Sequence, residues 1–357
     1  MKIKSILPFI QKMALTKPYT IAYNTFTHVE LVFLRVELDN GIIGIGSGSP
    51  AEDVVGENAQ QSLLNLQSAF VQALAGRDIR HYHQIIYEAA QQFPKLPGTL
   101  AAIDIALHDA FGKYLGISVA ALYGQKIKAL PTSVTIGIMN VAETLEQAEE
   151  YKKLGFKILK VKTGLQVEED IERIEQLNKR FGNSFKIRVD ANQGYTIQQL
   201  QRFITATKHL SVELIEQPLP VGKEAELLLA DTGPTNLIAS DESIKDAKAA
   251  LRFAASPHPF GIYNIKLMKC GGILGAFEIA NIARNASIDL FWGCNDESII
   301  SITAALHTAY ACANTKYIDL DGSFDLAEDL VTGGFSLQDG YMLINDRPGF
   351  GTEFIQQ

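Results

Sequence analysis

Polar side chains recur at the ends of apolar runs from Lys160 to Asp321, at a nearly constant interval. KILKVK ends at Lys162, FKIRVD at Asp190, VELIE at Glu216 and LIASD at Asp241; YNIKLMK passes through Lys266, DLFWG reaches Trp292 and YIDLD ends at Asp321. The steps between these residues are 28, 26, 25, 25, 26 and 29. Each step accommodates one strand, one helix and two loops, the repeat that closes into a parallel barrel. Such a barrel carries its chemistry where the strands end. Here those ends hold three carboxylates flanked by lysines, an expensive collection of charge for a purely structural rim.

The 357 residues exceed one ordinary domain and suit a barrel with a second domain. A net charge of −8 argues against a nucleic-acid binder, which needs a basic patch. Cys270, Cys294 and Cys312 lack C-x-x-C spacing, as expected in a reducing compartment. Pro8 breaks the first short apolar run, and no later apolar run has transmembrane length. A cytoplasmic protein with no membrane partner is expected.

Residues 1–50 read as antiparallel strands, with ELVFLRVEL as the strongest and Asp39-Asn40-Gly41 as a turn. The aperiodic stretch Lys17–His28 reads as an exposed loop able to touch a ligand, or as a plain surface hairpin loop. Helices follow over Asn58–Leu74, His81–Gln92 and the PGTLAAIDIALHDAFGKYLG segment. Asp104, His108 and Asp109 on the last of these read as capping or pairing groups rather than metal ligands. A capping domain is expected over 1–125, with 325–357 packing back on it, and a barrel over 126–324. The fold class is α/β: a modified TIM barrel, (β/α)7β, with an α+β cap built from both ends of the chain. Gly44–Gly48 precedes no Rossmann helix, so a nicotinamide enzyme is not expected.

Residues two apart on a strand share a face. Asp190 therefore points with Arg188 into the barrel, and Glu216 and Asp241 end the next two strands. Adjacent strands lie about 4.8 Å apart, so three carboxylates can surround one hard divalent ion, Mg2+ or Mn2+ rather than Zn2+. Lys160 and Lys162 both face inward, and Lys266 comes four strands later, across an eight-stranded ring. Two bases can then approach one carbon from opposite sides. Neighbouring cations and burial are expected to lower the lysine pKa values towards working range. Removing a proton next to a carboxylate builds an enediolate, whose charge a cation can hold. Bases on both faces would invert the centre.

K-V-K at Lys160–Lys162, D-A-N at Asp190–Asn192, E-Q-P at Glu216–Pro218, D-E at Asp241–Glu242 and K-L-M-K-C-G-G from Lys266 together resemble the enolase superfamily, in its muconate-lactonizing branch. The resemblance covers nearly the whole chain. It implies Mg2+ on Asp190, Glu216 and Asp241, with Lys162 and Lys266 as the acid/base pair. It also implies Lys160 beside the substrate carboxylate, Asn192 and Glu242 in support, and a homo-oligomer.

Asp319 and Asp321 form a D-x-D at the last strand, similar to that of dipeptide epimerases, and are expected to hold a substrate ammonium. Glu297 and Ser298 occupy the place of a Glu-Ser pair in those enzymes. The family's Ala–Glu epimerases carry an arginine near the amino terminus. Here Asn24 takes its place, beside Tyr23 and Phe26, and no arginine precedes Arg35. The expected activity is therefore 1,1-proton transfer at the second residue of Ala-X dipeptides, with X small or hydrophobic rather than Glu. N-acylamino acid racemisation, or o-succinylbenzoate synthesis or cycloisomerisation on the same scaffold, is the alternative.

Overall fold

The computed structural model describes residues 1–21, 24–50, 52–229 and 237–355. The chain opens with an antiparallel sheet of β1 (Ile3–Ile21), β2 (Asn24–Leu38) and β3 (Ile43–Gly48). Both faces of β2 are covered, and its two-residue period sorts them. Val32, Leu34 and Val36 join one core with Ala102, Ile103, Ala106 and Leu107. Leu31 and Phe33 join the other, which is continuous with the barrel. The helix between them is α2 (Pro97–Leu115); it follows α1 (Tyr82–Gln92), starts on a proline and ends at Gly116 in the left-handed region. α2 lies so close to β3 that a Cβ at Gly46 would stand 2.1 Å from the Ala102 carbonyl. The glycines of β3 thus serve helix packing, not a phosphate.

The expected loop over 17–28 is instead the far end of the first hairpin. β1 runs to Ile21, with Tyr19 paired to Phe26 and Ile21 to Asn24 after a register shift beyond Ala14. The three extra residues that β1 carries there interrupt the pairing without ending the strand, which the aperiodic sequence does not announce. Tyr23 lies outside the described residues; for Asn24 and Phe26 the description is of the backbone only.

Eight parallel strands follow: β4 (Ser133–Ile136), β5 (Ile158–Lys162), β6 (Lys186–Asp190), β7 (Val212–Glu216), β8 (Ile238–Ser240), β9 (Ile262–Ile265), β10 (Asp289–Trp292) and β11 (Thr315–Ile318). They are hydrogen-bonded in sequence order, and a bridge between Thr132 and Ile318 joins the last to the first. The principal helices between them are α3 (Val141–Lys153), α4 (Val167–Phe181), α5 (Ile197–Thr207), α6 (Ala247–Phe253), α7 (Ile273–Asn285) and α8 (Ile299–Ala311), with a one-turn helix at Glu226–Leu229. Among the described residues no helix follows β11, so the barrel is (β/α)7β.

Inside, Leu214, Ala239, Ile262 and Phe291 form a plug. Arg188 lies across it, its guanidinium 5.4 Å from the Phe291 ring and 5.1 Å from Tyr317. The C-terminal segment touches both parts of the molecule. Tyr341–Ile344 pairs with Leu130 and Pro131, while the Phe350 amide donates to Asp109 of α2. Asp109 also accepts from the Ile45 amide and pairs with Lys113. Asp104 pairs with His108 and accepts from the Leu274 amide at the start of α7. Asp104 thus ties α2 to α7 of the barrel, and Asp109 ties α2 to β3 and the C-terminal segment, as pairing and capping groups. No helix among the described residues is long and apolar enough to cross a membrane.

Candidate active site

Strand register sets the site. Lys162 is the Cα partner of Asp190, Asp190 of Glu216, and Glu216 of Ala239, two residues before Asp241. Five successive strands, β5 to β9, therefore deliver Lys160 and Lys162, Asp190, Glu216, Asp241 and Lys266 to one end of the barrel. Asp190, Glu216 and Asp241 are buried, as is Lys160. The Lys160 ammonium lies 3.1 Å from Asp190, 2.8 Å from Glu216 and 2.9 Å from Asp319. Lys162 is more open; it meets Asp190 at 2.7 Å and donates to Asn192 Oδ1 at 3.0 Å. Lys266 meets Asp241 at 3.0 Å. The two outer lysines thus sit on the two outer carboxylates of the row. β5 and β9 are four strands apart in either direction round the ring, which puts their lysines across the mouth from each other.

The electrostatics run against one expectation. Burial opposes the Lys160 charge, but Asp319, Glu216 and Asp190 together overcome it and hold its pKa well above the usual lysine value. Lys266 is likewise raised, because Asp241, with help from Glu216 and Asp190, outweighs burial and Lys160. The expected lowering fails here because the carboxylates, not the neighbouring ammoniums, are nearest. Burial tends to raise Asp190, yet Lys162 and Lys160 pull it down to about 2. Glu216 goes the other way: burial, then the charges of Asp190 and Asp241, push it up to about 8.

Among the described residues no three carboxylate, imidazole or thiolate groups converge closely enough to ligate a metal as they stand. Ammonium groups bridge the carboxylates instead. The donor set nevertheless fits a hard divalent cation. It is all oxygen, it comes from three adjacent strand ends, and the buried Glu216 Oε2 already faces a cation, the Lys160 ammonium at 2.8 Å. Glu216 Oε1 accepts from Asn264 Nδ2 at 2.5 Å, which aims the other oxygen inward.

Lys269 had no assigned role in the sequence, and it is the main addition. Its buried ammonium reaches the Asp241 carboxylate, the Asp241 carbonyl at 2.7 Å and the Asn264 carbonyl at 3.1 Å. Lys266 and Lys269 stand three apart across the one-turn helix Leu267–Cys270, so both turn towards Asp241. That spacing was visible in K-L-M-K; the shared partner was not.

The supporting residues fall as follows. Asn192 links Lys162 to Glu242, its Nδ2 donating to Glu242 Oε1 at 3.5 Å. Asp319 and Asp321 lie beyond β11, which ends at Ile318, so a shared strand face is not what brings them together. Asp319 accepts from Ser133 Oγ at 2.6 Å as well as from Lys160. Asp321 accepts from the Thr135 amide at 2.8 Å; burial, then Asp319 and Asp325, push its pKa up to about 8. Asp325, unmarked in the sequence, is pushed up to about 6 by burial, Asp296 and Asp319. Glu297 is buried, accepts from the Asn295 amide at 2.9 Å and is raised to about 7, chiefly by burial. Ser298 is the N-cap of α8, and its hydroxyl donates to Asp329 at 2.9 Å. Arg188, expected in the mouth, lies deeper; it contacts Ser133 Oγ at 3.1 Å and the Ile318 carbonyl at 2.5 Å.

Residues 143–357 match the family described as enolase C-terminal domain-like, and residues 6–124 match the mandelate racemase / muconate lactonizing enzyme N-terminal domain. An L-Lys-D/L-Arg epimerase of Desulforapulum autotrophicum is 50% identical over 99% of this chain and 100% of its own length. A hydrophobic dipeptide epimerase of Enterococcus faecalis is 35% identical over 95% of each chain. The crystal structure of a dipeptide epimerase from Methylococcus capsulatus, complexed with Mg and L-Arg-D-Lys, superposes with a TM-score of 0.96 at 42% identity, covering 99% of this chain and 100% of that one. The chain belongs to the mandelate racemase / muconate lactonizing enzyme branch of the enolase superfamily, with dipeptide epimerases among its relatives.

Proposed function

We propose that this protein is an isomerase, a Mg2+-dependent dipeptide epimerase that inverts the α-carbon of the second residue: one of Lys162 and Lys266 takes the α-proton and the other delivers a proton to the opposite face. The observation that carries this reading is the row of three buried carboxylates with a lysine seated on each end. Asp190, Glu216 and Asp241 would hold the metal, whose charge when bound would stabilise the negative charge growing on the substrate carboxylate. Lys160, held among three carboxylates, steadies that carboxylate and cannot readily give up its own proton. Lys162 removes the α-proton from one face while Lys266 returns one to the other, and the reverse reaction exchanges their roles. Asn192 keeps the Lys162 ammonium directed. Engagement of the metal by Asp190 and Asp241 would free both lysines from their present carboxylate partners.

We further infer a preference for dipeptides containing lysine or arginine. Asp321, Asp325, Asp296 and Glu297 cluster beside Asp319; burial, then neighbouring carboxylates, raise Asp321 and Asp325, and burial chiefly raises Glu297. A cationic substrate supplies compensating positive charge. Asp321 is the stronger candidate for the α-ammonium, since Asp319 is shared with Lys160. The names of two relatives, with Lys and Arg in both, agree with this choice. A small or hydrophobic second residue remains the second reading. It is favoured by the apolar residues Tyr19, Ile21, Tyr23 and Phe26 and by the lack of an arginine before Arg35.

Proton NMR in D2O with Mg2+ tests both readings, using L-Lys-L-Arg, L-Ala-L-Val, L-Ala-L-Phe, L-Ala-L-Glu and their N-acetyl forms. Deuterium should enter the second residue's α-position with the opposite epimer, fastest for L-Lys-L-Arg. A higher kcat/KM for L-Ala-L-Val or L-Ala-L-Phe would hand the specificity to the second reading. Exchange confined to N-acetylated substrates would overturn the ammonium role of Asp321.

A further inference from the structure

Behind the strand ends lies a second group of charges that the reaction does not touch. Asp170 and Arg173 sit on the first turns of α4, and Tyr195 sits in the loop that follows β6; all three are buried. Arg173 donates to Asp170 Oδ1 at 2.6 Å and to the backbone carbonyl of Lys162 at 2.9 Å. Asp170 Oδ2 accepts from the Gly164 amide at 2.9 Å and from the Tyr195 hydroxyl at 2.8 Å. We propose that Asp170, Arg173 and Tyr195 form a buried brace that positions Lys162, and Lys162 only, for proton transfer on its face of the substrate.

A buried ion pair is by itself weak evidence of a stabilising role, because desolvation offsets much of the attraction. The targets of this one are specific. It grips the main chain at Lys162 itself and again two residues later, at Gly164. Through Tyr195 it also holds the loop carrying Asn192, whose Oδ1 accepts from the Lys162 ammonium. That loop is pressed on the one after β5, since a Cβ at Gly194 would stand 2.3 Å from the Gly164 carbonyl. The base and its Asn192 partner therefore hang from one support. Lys266 is supported by different groups, through Asp241, Lys269 and the Asp104 contact at the head of α7. Arg173, Asp170 and Tyr195 are positioning residues, and disturbing them should injure one face of the reaction.

This inference rests on the epimerase reading above. The experiment measures initial rates of α-deuterium incorporation in D2O separately from each epimer of the best dipeptide, with Mg2+ saturating. Lys162→Ala identifies the epimer whose exchange depends on Lys162. In Arg173→Met that exchange should fall on the order of 10- to 100-fold, the loss typical of a reacting group misplaced by about 1 Å. Exchange of the other epimer should stay within about twofold of wild type, because its base is held elsewhere. Tyr195→Phe should show a smaller loss on the same face; it keeps the ring and the Asp170–Arg173 pair, so it carries the test if Arg173→Met does not fold. Equal losses for both epimers, no loss for either, or a loss confined to the Lys266-dependent epimer would overturn the brace alone. Wild-type protein that exchanges neither epimer of any dipeptide would overturn the epimerase reading and the brace with it.

Discussion

Lys160 and Asp319, 159 residues apart in sequence, meet inside the barrel with Nζ 2.9 Å from Oδ2. The contact ties the second barrel strand to the segment that follows the eighth. It also makes Lys160 the shared counter-ion of Asp319, Asp190 and Glu216.

Lys160→Met would leave three buried carboxylates short of a cation. Breaking a buried ion pair on one side costs about 3–5 kcal/mol. The Mg2+-free variant should lose about that much stability in urea unfolding, and Mg2+ should restore more of it than it adds to wild type. A loss below about 1 kcal/mol, the level of an exposed pair, would mean that Lys160 is not the counter-ion described.

Glu216→Gln keeps the shape of the side chain and an acceptor for Asn264, but gives up a charge that burial already opposes. The Mg2+-free variant should therefore be about as stable as wild type at pH 7. The effect on metal binding should be large. Saturation at 100 times Kd adds about 2.7 kcal/mol to wild type, and this increment should vanish in the variant. Thermal melts with and without Mg2+ read both quantities. A full Mg2+-dependent shift in the variant would remove Glu216 from the ligand set.

His307 offers a pH test remote from the site. It is buried on α8, accepts from the Ala120 amide at 3.2 Å and lies edge-on to Phe350. Burial lowers its pKa to about 3. Its folded pKa lies below the ordinary value of 6.5, so protons bind preferentially to the unfolded chain. The stability it contributes is complete above about pH 6.5 and is lost as pH falls towards 3, at up to about 1.4 kcal/mol per pH unit. His307→Asn, which keeps an acceptor but cannot be protonated, should flatten the stability curve between pH 6.5 and pH 4. A wild-type and variant curve of equal slope in that interval would show that His307 does not titrate on unfolding.

Much of the site is legible before folding because it depends on local rules. Lys162, Asp190 and Glu216 each close an apolar run, and strand register then places them at one height, with Lys160 two residues deeper. The Lys17–His28 stretch is legible as a hairpin end but not as paired strand, because a register shift past Ala14 removes the two-residue period on which a strand is recognised. The extended reading of Asp319 and Asp321 failed for a related reason: β11 stops at Ile318, and the two carboxylates then find different partners, Lys160 and the Thr135 amide.

The chain's own order determined the barrel, the side of it that carries chemistry and the identity of the facing lysines and carboxylates. Period and spacing are properties of contiguous residues, and they survive without knowledge of distant contacts. Tertiary structure alone decided which charges share a partner. Lys269 joining Lys266 on Asp241, Asp325 entering the acidic cluster and Arg173 reaching the Lys162 carbonyl all depend on side chains converging from separate elements. So does the direction of the lysine pKa shifts. A pair of ammoniums two residues apart suggests mutual repulsion, but burial brings three carboxylates nearer to Lys160 than any other cation, and the nearest opposite charge prevails.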